Sequence, residues 1–197
     1  MDTVPVILVV FNRPEHTRQT LESLLVQRPS ELYIFQDGPR ENNDSDLINC
    51  QLVRKTINAQ LQNISYDVTV HRYYSETNRG CRDAIIFAIS SVLKEHESVI
   101  VVEDDIITSP AFLSFMNLAL RYYKDNKAVH SISGYSHSPG KFKVPNTYSY
   151  DVYASPRLFN WGWATWRDRW EQVDWSMSYY DAFVNNNDEQ ANLVEPL

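Results

Sequence analysis

Residues 4–11 read Val-Pro-Val-Ile-Leu-Val-Val-Phe, an unbroken apolar run rich in β-branched side chains. A strand with one wet face would alternate polar and apolar residues. A continuous run of this kind needs burial on both faces, as in a parallel sheet covered by helices. Pro5 has no N–H to give a ladder and fits only at the start of such a strand. Val99-Ile100-Val101-Val102 imposes the same condition a second time.

The remaining pattern alternates strand and helix. Asn12-Arg13-Pro14 ends the first strand, and proline near a first helical position predicts a helix to about Val26 with Leu21, Leu24 and Leu25 inward. Leu32–Phe35 is a second strand that stops at the turn signal Gln36-Asp37-Gly38-Pro39. Asp44-Ser45-Asp46 is placed to cap a helix carrying Cys50, Val53, Ile57 and Leu61 on one face. Val68–Val70 is a short third strand, and Ile85, Ala88, Ile89 and Val92 recur at helical spacing. After residues 99–102, Ser109-Pro110 predicts an N-cap for a helix bearing Phe112, Phe115, Met116 and Ala119. Val129–Ser133 reads as a fifth strand, Tyr148–Tyr153 as a further candidate strand, and Phe159–Trp170 as partly helical. Trp163, Trp166 and Trp170 would then share one helical face, most simply a core stripe. The fold class expected is α/β: a mostly parallel sheet with helices on both faces, in one domain over residues 1–197.

Composition narrows the partners. The net charge is −7 with no Lys/Arg cluster, which argues against nucleic acid. No stretch reaches membrane-spanning length. Cys50 and Cys81 lie far apart without metal-type spacing, and the N-terminus shows no leader pattern, so reduced thiols and a cytoplasmic location are expected. His71, His96, His130 and His137 show no ligand spacing, and neither a G-x-S-x-G nor a Walker A motif occurs.

In a sheet of this kind, ligands sit beyond the carboxyl ends of the strands, and the unusual loops fall there. Glu103-Asp104-Asp105 follows a buried strand directly. Three crowded carboxylates repel one another and resist desolvation; a hard divalent cation such as Mn²⁺ or Mg²⁺ relieves both, while the plainer reading is a solvated turn before a helix. If the segment stays extended, Glu103 and Asp105 share one side and Asp104 takes the other. Asp37 suits either turn chemistry or contact with a base or ribose. Arg13, Arg79 and Arg82 are cations for an anionic ligand or plain surface residues, and Gly80 would let a backbone approach closely. Trp161 is the tryptophan best placed to stack on a sugar.

Pro5–Arg13, Phe35-Gln36-Asp37, Val101–Ile106 followed by Ser109-Pro110-Ala111-Phe112, and Asn160-Trp161-Gly162-Trp163 together resemble GT-A fold glycosyltransferases. The likeness is to eukaryotic N-acetylglucosaminyltransferase I and to bacterial family-2-like transferases, over roughly residues 4–175. It implies a metal-dependent, inverting hexosyl- or N-acetylhexosaminyl-transferase that moves a sugar from a UDP-sugar to a glycan or lipid-linked acceptor. It places the metal on Asp105 of a DXD-like motif, the ribose on Asp104, and the donor sugar beside Glu103 as a catalytic acid. Arg13 and Asp37 match nucleotide-facing positions, and the G-W segment lines the acceptor side. The family's base follows that segment, where this chain offers Asp174 and Asp181; Asp181 is the choice. The family continues past this point, so the resemblance implies that part of the acceptor site lies beyond the chain's end. Two other readings stand beside it: a nucleotide-sugar-binding module without turnover, and a sugar nucleotidyltransferase, although Asn-Arg-Pro-Glu-His after Phe11 lacks the glycine-rich loop that such an enzyme needs.

Overall fold

The structure, a computed structural model, describes residues 4–136, 144–145 and 147–186. Strands β1 (Val6–Val10), β2 (Glu31–Gln36), β3 (Thr69–Tyr74), β4 (Ser98–Glu103), β5 (Ser131–Ser133) and β6 (Trp163–Trp166) form one sheet in the order β3-β2-β1-β4-β6-β5. β1 pairs in parallel with both β2 and β4, and β2 with β3; β6 runs antiparallel to both β4 and β5. The intervening helices are α1 (Pro14–Leu25), α2 (Asp44–Gln62), α3 (Cys81–Val92) and α4 (Phe112–Tyr122), with short α5 (Arg167–Trp170) and α6 (Tyr180–Val184) near the C-terminal end.

The apolar run of β1 is explained by two cores. Val6, Leu8 and Val10 face Leu21, Leu24, Val53, Ile57 and Met116 from α1, α2 and α4. Ile7 faces the other way, with Tyr33 and Val101, onto Ala88, Ile89 and Val92 of α3. Truncating Leu8 or Ile7, both fully buried, would cost about 2–5 kcal/mol. From β1 the strand order proceeds outward to β2 and β3 on one side and to β4 on the other. This reversal opens a crevice beyond the carboxyl ends of β1 and β4.

Several local expectations change. Trp163 and Trp166 lie in strand β6, not on a helix, and three residues apart in a strand they point to opposite faces, each into a different core. Backbone pairing with Ser98–Val101 decides this, a long-range term that outweighs helical spacing. All three tryptophans are nevertheless buried. No strand forms over Tyr148–Tyr153; the Tyr148 hydroxyl donates to the Val152 carbonyl, folding the segment on itself. Ser109 does not cap α4 with its side chain: its carbonyl accepts the Phe112 N–H, and the helix starts after this turn. The cap of α2 is Asn43, whose side chain accepts the Asp46 N–H at 3.0 Å. His137 and the tail beyond Asn186 lie outside the described residues. No helix among the described residues is long and apolar enough to cross a membrane.

Candidate functional site

Glu103 is the last residue of β4, and the chain then turns, with the Ile106 N–H donating to the Glu103 carbonyl at 3.2 Å. The segment is therefore not extended, and Asp104 and Asp105 both approach Arg13 rather than diverging. Arg13 Nη1 lies 2.9 Å from Asp105 Oδ2 and 3.7 Å from Asp104 Oδ1. Asp104 is buried and clamped: its Oδ2 accepts the Phe11 N–H at 3.0 Å, and its carbonyl accepts the hydroxyl of the fully buried Thr20 at 2.8 Å. Burial pushes the Asp104 carboxyl up, against the pull of the Phe11 N–H and Arg13. Burial also raises Glu103, helped by the negative charges of Asp105 and Asp104. Asp105 is half exposed, and among the described residues its carboxylate takes a hydrogen bond from Arg13 alone.

Asp37, after β2, has a different environment. Its Oδ1 accepts the N–H groups of Gly38 (3.0 Å) and Arg79 (2.9 Å). Its Oδ2 accepts those of Arg79 and Gly80, both 3.1 Å, and the Asn78 amide at 3.0 Å. The carboxylate thus binds the loop that opens α3. Gly80 adopts φ 79°, ψ 157°, a region closed to side chains bearing a Cβ. The first residue of α3, Cys81, adjoins the acidic turn: burial pushes its thiol up, and the charges of Glu103 and Asp37 push it further.

The arginines diverge. Arg79 lays its guanidinium 4.3 Å from the Phe87 ring centre, beside a cleft of ≈ 370 Å³ lined by Phe35, Asp37, Tyr73 and Phe87. Arg82 donates to the carbonyl of Trp175, fastening α3 to the chain after α5. That chain arrives by a ladder of rings, Trp163 to Trp170 at 6.2 Å and Trp170 to Trp175 at 4.3 Å.

On the other flank of the turn, β6 starts where β4 ends, with Trp163 opposite Val101. Gly162, at φ 71°, packs so tightly that a Cβ there would stand 2.9 Å from the Phe112 ring. This kink leaves Trp161 58% exposed, edge-on to Tyr135 at 4.6 Å. Asp174 uses both carboxylate oxygens on Ser176 and Ser178 of its own turn, which holds it well below the usual carboxylate range. Asp181, in α6, is exposed, and its carboxylate makes no hydrogen bond among the described residues.

The donor set suits a hard cation. Among the described residues no three His, Cys, Asp or Glu side chains converge into a cage for a metal ion. A single accessible carboxylate such as Asp105, with phosphate oxygens from a ligand, is how Mg²⁺-type ions are commonly held. Sequence reasoning gave no role to Asn78, Thr20 or Tyr135. Asn78 stands beside the Arg79-Gly80 pair that the sequence did single out, and its contact with Asp37 is tertiary; nothing in the sequence marked the other two.

Comparison with solved structures finds distant likenesses. A 4-diphosphocytidyl-2C-methyl-D-erythritol synthase from Anaerococcus prevotii is 13% identical, with TM-score 0.45, covering 94% of this chain and 84% of that one. A UDP-glucose pyrophosphorylase complexed with UDP-glucose is 11% identical, with TM-score 0.38, covering 66% and 56%. HddC from Yersinia pseudotuberculosis is 15% identical, with TM-score 0.33, covering 53% and 48%. The chain thus spans about half the length of the last two, and likenesses this weak carry no functional argument. No curated protein matches the sequence. The family model is decisive: it matches residues 1–194, and the chain belongs to the GNT-I family, that of N-acetylglucosaminyltransferase I.

Proposed function

We propose that the chain is a metal-dependent, inverting glycosyltransferase that takes its sugar from a UDP-sugar and passes it to a glycan or lipid-linked acceptor. The observation that carries this reading is the acidic turn at the crevice between β1 and β4, with one carboxylate clamped and the next accessible. Asp105 would hold Mn²⁺ or Mg²⁺, and the ion's role is to neutralise the charge that grows on the departing diphosphate. Asp104 keeps one oxygen on Phe11 and offers the other to a ribose hydroxyl. Glu103 lies beside the donor sugar, where its carboxyl can hydrogen-bond a sugar hydroxyl. Arg13 faces the nucleotide.

Asp37 acts on the nucleotide at one remove. Five hydrogen bonds from the 38 and 78–80 segments occupy its oxygens, so its contribution is to present Arg79 toward the ligand. Arg82, bonded to Trp175, braces the segment leading to Asp181. Inversion requires a carboxylate to take the acceptor proton. Asp174 is a poor base because its own turn stabilises its anion, which favours Asp181. Trp161 offers an exposed ring for a sugar face.

The test is transfer. The chain should move label from a UDP-sugar in a panel onto glycan or lipid-linked acceptors in the presence of Mn²⁺, with inverted anomeric configuration by NMR. A product of retained configuration would sink the inverting assignment. Donor binding with no turnover on any acceptor would point instead to a nucleotide-sugar-binding module.

A further inference from the structure

We propose that Arg13 is the resident counter-ion of the acidic turn, and that a divalent cation binds Asp105 only as Arg13 leaves it, so that nucleotide and metal bind cooperatively. The inference rests on the reading of Asp105 as the metal ligand.

Glu103, Asp104 and Asp105 place three carboxylates in succession, two of them partly or wholly removed from water. Arg13 is the cation that contacts the two aspartates among the described residues, at 2.9 Å from Asp105 and 3.7 Å from Asp104. Its side chain is half exposed, while its backbone is fixed as the N-cap of α1, with its carbonyl accepting the Thr17 N–H. The guanidinium can therefore swing without disturbing the helix. The two aspartates respond differently to its departure. Asp104 stays in place through Phe11 and Thr20, whereas Asp105 loses the one side-chain partner it has among the described residues. What the swing exposes is a free carboxylate on a fixed turn.

A metal ion and a guanidinium next to the same carboxylate repel each other. Metal alone must displace Arg13 into water and gains little net charge compensation. A nucleoside diphosphate changes the balance, because its anionic oxygens offer the displaced guanidinium a matched planar partner. Each ligand then improves the binding of the other by the same factor. The order of events is thus set by a side chain of the protein itself: the empty site is neutralised from within, and the loaded site is neutralised by the ligand pair.

The experiment titrates Mn²⁺ into wild-type protein, Arg13→Gln and Arg13→Lys, with and without UDP, following free Mn²⁺ by electron paramagnetic resonance. Arg13→Gln should bind Mn²⁺ alone at least about fivefold tighter than wild type, and the mutual enhancement between Mn²⁺ and UDP should shrink correspondingly. Arg13→Lys, which keeps the charge, should stay near wild type. Metal-free Arg13→Gln should also melt lower than wild type and recover with Mn²⁺. Unchanged or weaker Mn²⁺ binding by Arg13→Gln, with wild type still binding Mn²⁺ in the presence of UDP, overturns the proposal alone. Absence of Mn²⁺ binding by wild type even with UDP overturns the functional reading beneath it.

Discussion

Two carboxylate clusters stand at the same end of this sheet and behave in opposite ways. At the corner of β1, β2 and α2, Asp46 accepts from Arg40 Nε at 2.6 Å and from the Asn12 amide at 2.6 Å, and Arg40 holds its carboxyl at about 2. Gln36 completes that corner, donating to the Phe11 and Cys50 carbonyls and accepting from Arg54. The Asp46 carboxylate and the Gln36 amide thus find their partners within the protein. At the acidic turn, three carboxylates stand in succession and one guanidinium reaches two of them, and burial pushes Glu103 and Asp104 up instead of down. A saturated carboxylate serves as scaffold; a crowded, short-handed one is a candidate for ligand contact. Asp37 belongs with the first kind despite its place in the crevice.

The largest effect separates the two kinds by activity. Asp105→Ala should lower sugar transfer by about 10²–10³-fold, the scale of losing one preorganised charge contact in a transition state, while leaving the unfolding midpoint nearly unchanged. A large stability loss in that variant would place Asp105 with the scaffold. Asp37→Ala should do the reverse in kind: it strips the anion from the Arg79 and Gly80 N–H groups and should cost about 3 kcal/mol in urea unfolding. If Asp37→Ala stays as stable as wild type, the loop does not depend on it, and direct ligand contact becomes the better account of this residue.

The clusters should also slope oppositely with pH. Asp46 has a folded pKa below its usual 3.8, so its contribution is complete above about pH 4 and disappears as pH falls toward about 2. Burial raises the folded pKa of Glu103 and of Asp104 above the ordinary value of each. Their folded state holds protons that the unfolded chain has released, so their contribution is lost as pH rises through that interval. Metal-free stability measured from about pH 2 to about pH 8 should show Arg40→Ala flattening the acid limb and Glu103→Gln flattening the decline above it. Parallel curves for both variants would refute the distinction. The smallest effect concerns the flank beyond the turn: Trp161→Ala should weaken acceptor binding by about threefold to tenfold, the scale of one aromatic contact, with stability unchanged because the ring is already exposed. Tighter acceptor binding after truncation would remove Trp161 from the site.

Much of the fold was legible because burial on both faces writes itself into sequence as apolar runs. β1 and β4 could be placed from Val6–Val10 and Val99–Val102 alone, and the crevice followed from their order. β6 was not legible: Trp163-Ala164-Thr165-Trp166 is too short to show a period, and its pairing partner lies some 65 residues earlier. The site divides in the same way. Glu103-Asp104-Asp105 was visible as a local anomaly. The saturation of Asp37 by a loop about 40 residues later, and the tie from Arg82 to Trp175 across 93 residues, depend on tertiary contacts that no local pattern encodes.

The central claim is that the acidic turn forms a metal-assisted nucleotide site. Thermal unfolding with UDP, with and without Mn²⁺, on wild type and Asp105→Ala tests it most directly. At a hundred times its dissociation constant a ligand adds about 2.7 kcal/mol, a rise of roughly 5–10 °C for a chain of this size. The account predicts that rise in wild type only when UDP and Mn²⁺ are both present, and its loss in Asp105→Ala. No rise at saturating Mn²⁺ and UDP in wild type, or an equal rise in the variant, would contradict it.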